Sequence, residues 1–101
     1  MMPEDSRGVL AVPLADVRAL RACLLAGGVL AECREELERM VETASVLAWR
    51  ADCGRSCVGW KLAFTLSSQE CYLREALHAL DRGDRELAAL LLDGFEQFAQ
   101  R

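Results

Sequence analysis

Between residues 30 and 47 the chain places Leu30, Cys33, Leu37, Met40, Ala44 and Leu47 at steps of three and four residues. An extended strand cannot hold such a line on one face, because its side chains alternate. An α-helix, with about 3.6 residues per turn, can. Glu32, Glu35, Glu36, Glu38, Arg39 and Glu42 fall off the line, so the far side of that helix is charged. Arg34 and Glu38 stand four residues apart, as do Glu35 and Arg39, which is the spacing for ion pairs across one helical turn. The pattern predicts a helix over 29–51. Its apolar seam is either the core face of a bundle or a surface that pairs with a second chain, and periodicity alone leaves both open.

The flanking segments carry helix punctuation. Pro13 pre-sets the first turn of a helix, and Asp16 lies near its positive end. Leu14, Val17, Leu20 and Leu24 give that helix one apolar line, and Gly27-Gly28 stops it. A helix over 13–26 follows. Residues 57–66 are read two ways. Val58, Trp60, Leu62, Phe64 and Leu66 alternate with smaller or polar residues, which is a strand pattern. A lone strand has no edge to pair with here. The competing helix over 57–82 has a seam of Leu62, Leu66, Gln69, Leu73, Ala76 and Leu80, with one polar interruption, and is preferred. Ser67-Ser68-Gln69-Glu70 could break it, because it also reads as a capping box. Gly83 suits a helix end and Asp84 a helix start. Leu87, Leu91, Phe95 and Phe98 then line a last helix over 85–99.

Residues 1–12 read as an N-terminal tail and 13–101 as a single helical domain. The expected fold class is all-α, a small bundle of about four helices with two long ones. Seventeen Leu and fifteen Ala in 101 residues, against two Pro, agree with it. Two helices of more than about 20 residues each span more than about 30 Å, so the molecule should be elongated. Apolar faces left over on such rods lead to the expectation of a homodimer.

Charge and composition remove several functions. The net charge is −4, and Arg18 with Arg21, or Arg82 with Arg85, makes no basic stripe, so direct nucleic-acid binding is not expected. The longest uncharged stretch, Ala22 to Ala31, is ten residues, half of what a membrane span needs. The acidic, polar start lacks a secretory pattern. Five cysteines cannot all pair within one chain, and a cytoplasmic location with reduced thiols is expected.

The inventory of reactive groups is thin. Cys53 and Cys57, in CGRSC, are the one pair with metal or redox spacing, and Cys33, Cys71 and His78 do not form a second pair for zinc. His78 lies between Leu77 and Ala79 with no nucleophile signature beside it. The glutamates of 32–42 avoid the seam and read as a solvated face. Gly27-Gly28 lacks the spacing and the lysine of a phosphate loop. No catalytic residue, no metal and no cofactor is expected, and the chain is not expected to be an enzyme. The run 58–66 is the most informative patch. Trp60, Leu62, Phe64 and Leu66 are the candidate partner-binding residues, since aromatic side chains anchor protein interfaces. Leu30, Leu37, Met40, Leu47, Leu73 and Leu80 are the candidate dimer or core seam.

The stretch from Glu35 to Leu80 resembles the QslA-type anti-activators of LuxR-family quorum-sensing regulators. The likeness is carried by chain length, helix layout and the Val41–Arg50 and Leu66–Leu80 segments. The resemblance implies a non-enzymatic bacterial protein that binds a LuxR/LasR-type transcription regulator and blocks its dimerisation and DNA binding. No binding residue is carried over from that family. The alternative is a helical dimeric adaptor or secretion-type chaperone that binds another protein.

Overall fold

The structure is a computed structural model and describes residues 10–52 and 57–99. Four helices make up the described residues: α1 (Leu14–Leu25), α2 (Leu30–Asp52), α3 (Cys57–Asp81) and α4 (Arg85–Ala99). The fold is a small all-α bundle with two long helices, and no strand occurs among the described residues. Helix is what the alternating run at 58–66 forms, and α3 passes through Ser67-Ser68 without a break.

Two glycine turns set the layout. At the end of α1, Gly27 has φ +88°, and Gly28 N–H donates to the Cys23 carbonyl at 2.8 Å. At the end of α3, Gly83 has φ +76°, and Asp84 N–H donates to the Ala79 carbonyl at 2.9 Å. Both are Schellman closures, in which a left-handed residue satisfies the last free carbonyls of a helix. Asp84 then caps α4, its carboxylate accepting from Leu87 N–H at 3.0 Å. α1 packs mainly on α4, α2 on α3, and α3 on α4, while the α1–α2 contact is slight.

The seam of α2 is spent inside the molecule. Cys33, Leu37, Met40 and Ala44 are buried, and Leu30 and Leu47 are half-buried against the same core. Leu66, Leu73, Ala76 and Leu80 of α3 are buried opposite them. The seam is therefore a core face, and it is not left over for a second chain. Gln69, the polar interruption, is 0% exposed. Its Oε1 accepts from the backbone N–H of Ala11 at 2.7 Å, which fills a buried acceptor that would otherwise be costly. Ala11 and Val12, which the sequence places in the tail, are buried and belong to the core.

The face of α4 is rotated from the expected line. Ala88, Leu92, Phe95 and Ala99 are buried, whereas Leu87, Leu91 and Phe98 are half-buried at its margin. α4 packs against both α1 and α3, and Ala88, Ala89 and Ala99 share its buried line with Leu92 and Phe95. Gly94 shows how tight this is: a Cβ there would stand 2.8 Å from Tyr72 Cε1, whose ring in turn packs 5.9 Å from that of Phe98.

The bundle is not equally thick along its length. The described chain extends 43 × 25 × 16 Å. α4 has 15 residues against 25 in α3, so at about 1.5 Å per residue it covers little more than half of it. Phe98 near the end of α4 meets Tyr72, and Ala11 meets Gln69. Among the described residues, α3 before that level and the facing part of α2 continue as a two-helix overhang.

Candidate functional site

The overhang carries the exposed aromatic side chains. Trp49 is 67% exposed and Phe64 62% exposed, with Val46 exposed one turn before Trp49. Glu42, Thr43, Val46, Leu47 and Arg50 line a shallow, open hollow of about 520 Å³ along this part of α2. One acid, one base and one hydroxyl thus border an apolar floor. Exposed large apolar groups with a polar border are what protein interfaces present before they are covered.

The sequence-based candidates separate here. Phe64 is at the surface. Leu66 is 4% exposed and is corrected to a core residue, because position 66 falls on the α3 seam that faces α2. The side chains of Trp60 and Leu62 lie outside the described residues, as do Cys53 and the side chain of Cys57. Sequence reasoning missed Trp49. The signal was present: Trp49 is two residues after Leu47, which on a helix turns it about 200° away from the seam. An aromatic on the far side of a heptad line faces solvent unless something else covers it.

A second apolar group lies at the other end. Leu25, Val29 and Leu90 are exposed, and Leu25 and Leu90 share a hollow of about 330 Å³ with Arg21, Glu86, Ala89 and Asp93. This end is knitted by charge. Arg21 donates to Asp93 at 3.0 Å and to Glu96 at 2.6 Å, and Arg18 donates to Glu96. The Arg18 guanidinium, with Arg21 beside it, holds the Glu96 carboxyl below the usual range. Arg18 and Arg21 are thus both ion-paired within the chain. Arg34 ties α2 to Asp81 at the end of α3 and pairs with Glu38 at 3.4 Å, and those carboxylates hold its guanidinium charged.

Glu32, Glu35, Glu38 and Glu42 are exposed. Arg39 pairs with Glu36 three residues before it, not with Glu35 as the spacing predicted, since both registers lie within reach on one helix face. His78 is exposed, with Nδ1 4.0 Å from Glu75. Among the described residues no His, Cys, Asp and Glu group has the arrangement of a metal site, and no helix is long and apolar enough to cross a membrane. A third hollow, about 360 Å³, runs between α3 and α4 and is lined by Ser68, Cys71, Tyr72, Glu75, Leu91 and Phe98.

Comparison with protein-family models, with curated proteins and with solved structures found no match.

Proposed function

We propose that this chain is a non-catalytic regulatory protein that captures a transcription regulator of the LuxR/LasR type and blocks its dimerisation and DNA binding. The observation that carries the capture surface is the exposure of Trp49 and Phe64 on the two-helix overhang. Burying side chains of this size removes a large apolar area from water at low entropy cost. The identity of the partner class rests on the resemblance of the Glu35–Leu80 stretch. In this reading the overhang inserts against the helical surface that the regulator uses to pair with its own copy. A second copy of this chain competes for the same overhang, so the homodimer belongs to the proposal as the resting form. The partner is protein, and neither a nucleic acid nor a membrane takes part directly. The cytoplasm, where such a regulator works, is the proposed location.

The test is a mixture of the purified protein with a purified LuxR-type regulator and its DNA half-sites. Sedimentation should show a mixed complex, and the regulator should release its DNA. Trp49→Asp and Phe64→Asp should abolish both effects while circular dichroism keeps the helical signal. Undiminished capture by a folded Trp49→Asp, Phe64→Asp double variant would remove the overhang from the site. If instead the native chain recovers an exported protein from its own cells and ignores the regulator, the chaperone reading replaces this one, and the apolar α3–α4 hollow becomes the binding groove.

A further inference from the structure

The α1–α2 turn brings two thiols together. Cys23 Sγ and Cys33 Sγ are 3.8 Å apart, one in the last turns of α1 and the other in the first turns of α2. Cys23 is exposed and Cys33 is buried. The sequence around them is shaped to this approach. A Cβ at position 28 would stand 2.3 Å from Cys23 Sγ, so glycine there leaves the sulfur its place against the turn. Beside the pair lies an open hollow of about 250 Å³, lined also by Asp16, Ala19, Leu20, Glu32 and Glu36, through which a small reagent reaches Cys23.

We propose that Cys23 and Cys33 form a dithiol site that a low-molecular-weight disulfide, such as oxidised glutathione, converts to an intramolecular disulfide fastening α1 to α2. In the first step the Cys23 thiolate attacks one sulfur of the reagent. A Cys23–glutathione mixed disulfide forms, and one reduced glutathione leaves and takes the proton. In the second step the Cys33 sulfur attacks Cys23 Sγ and expels the second glutathione, which takes the Cys33 proton. Two protein thiols are oxidised and one glutathione disulfide is reduced to two thiols.

The order of attack follows from the surroundings. Burial pushes the Cys33 thiol up, and the neighbouring Cys23 pushes it the same way, with Arg85 opposing and Glu32 adding slightly. Cys33 is therefore the poor first nucleophile. Conversion of Cys23 to a mixed disulfide removes the contribution of its thiol and places a leaving group beside Cys33. The final bond is about 2.05 Å long, so the sulfurs must close by somewhat less than 2 Å. α1 rests only lightly on α2, which leaves room for that movement. Oxidation then adds a covalent tie where packing is thin. Cys71, exposed on α3, is the internal control.

The experiment uses the full chain carrying Cys53→Ser and Cys57→Ser, checked for native helical signal. It is incubated with mixtures of reduced and oxidised glutathione, quenched in acid, alkylated, digested and analysed by mass spectrometry. The expected result is a Cys23–Cys33 disulfide, with Cys71 carrying glutathione. Adding Cys33→Ser should leave Cys23 as a lasting glutathione adduct. If the serine background loses its fold, the wild-type chain gives the same mapping from its peptides. The proposal is overturned if Cys23 ends as a glutathione adduct while Cys33 remains free to alkylate. It is equally overturned if the Cys23–Cys33 bond forms no more readily in the folded chain than in denaturant.

Discussion

The two ends of this molecule are built on opposite terms. At the α1–α4 end, four helices meet, two glycine closures satisfy the helix termini, and Arg18, Arg21, Asp93 and Glu96 knit the surface. At the other end, among the described residues, α2 and α3 run on as a pair, and Val46, Trp49 and Phe64 are exposed. The first end is closed by packing, helix caps and ion pairs, with Leu25, Val29 and Leu90 exposed at its rim. The second exposes large apolar groups. If the overhang is the capture surface proposed above, stability and recognition are separated along one pair of long helices, and substitutions at the two ends should fail in different assays.

The largest contrast is between two aromatic residues. Phe95 of α4 is fully buried in the core. Phe95→Ala should cost about 3–5 kcal/mol, enough to unfold much of a small domain, as read by urea titration. Trp49→Ala should change stability by no more than about 0.5 kcal/mol, because an exposed side chain loses little burial. The same Trp49→Ala protein should lose partner capture. If Trp49→Ala were destabilising by about 2 kcal/mol or more, its ring would be covered by structure, and the division between the ends would fail.

Gln69→Leu sharpens the boundary between them. The variant removes the acceptor for the buried Ala11 N–H, and the orphaned donor should cost about 1–3 kcal/mol. Hydrogen exchange should show the Ala11 amide losing protection while the middle of α2 keeps it. Equal protection in the variant would mean that Ala11 finds another acceptor. Gly94→Ala is a smaller probe of the same region. Helix propensity alone favours alanine by about 1 kcal/mol, but the new methyl meets Tyr72 at 2.8 Å. Because overpacking costs about 1–3 kcal/mol, the net change should be destabilising by roughly 1 kcal/mol. A stabilised Gly94→Ala variant would show that the Tyr72 ring yields freely.

These residues also show what the sequence made legible. The helices over 13–26, 29–51, 57–82 and 85–99 were readable to within a residue or so at each end, because glycine, proline and aspartate mark helix limits by local chemistry. The α2 seam was readable as a line but not as core or interface, since periodicity names a face and not its neighbour. Gln69 looked like a flaw in the α3 seam and proved to be the seat of the segment before α1, a contact 58 residues apart in sequence. The face of α4 was misplaced because only its large side chains were counted: Leu87, Leu91 and Phe98 sit at the margin, while Ala88, Ala89 and Ala99 share the buried line with Leu92 and Phe95. Trp49 was passed over, although its distance from the seam was already fixed by helix geometry. Which part of two long helices lacks a third is a question of relative helix lengths and register, and only the assembled bundle answers it.

The smallest expected effect belongs to the charged end and depends on pH. Arg18 and Arg21 lower the Glu96 carboxyl, so Glu96 binds a proton less readily when folded than when unfolded. Its contribution to stability is therefore fully present above the unfolded carboxylate range, near pH 4.3, and is lost as pH falls through the lower folded value. Arg18 and Glu96 are partly open to solvent, so salt should weaken the effect. Denaturation midpoints measured from pH 6 down to pH 3 should fall more steeply in the native chain than in an Arg18→Met, Arg21→Met variant. Phe64→Asp at the far end should leave the difference between those two slopes unchanged. Identical acid slopes with and without the arginines would mean that α1 is held to α4 by its apolar face alone, through Val17, Leu20 and Leu24, and that the charged network only decorates the closed end.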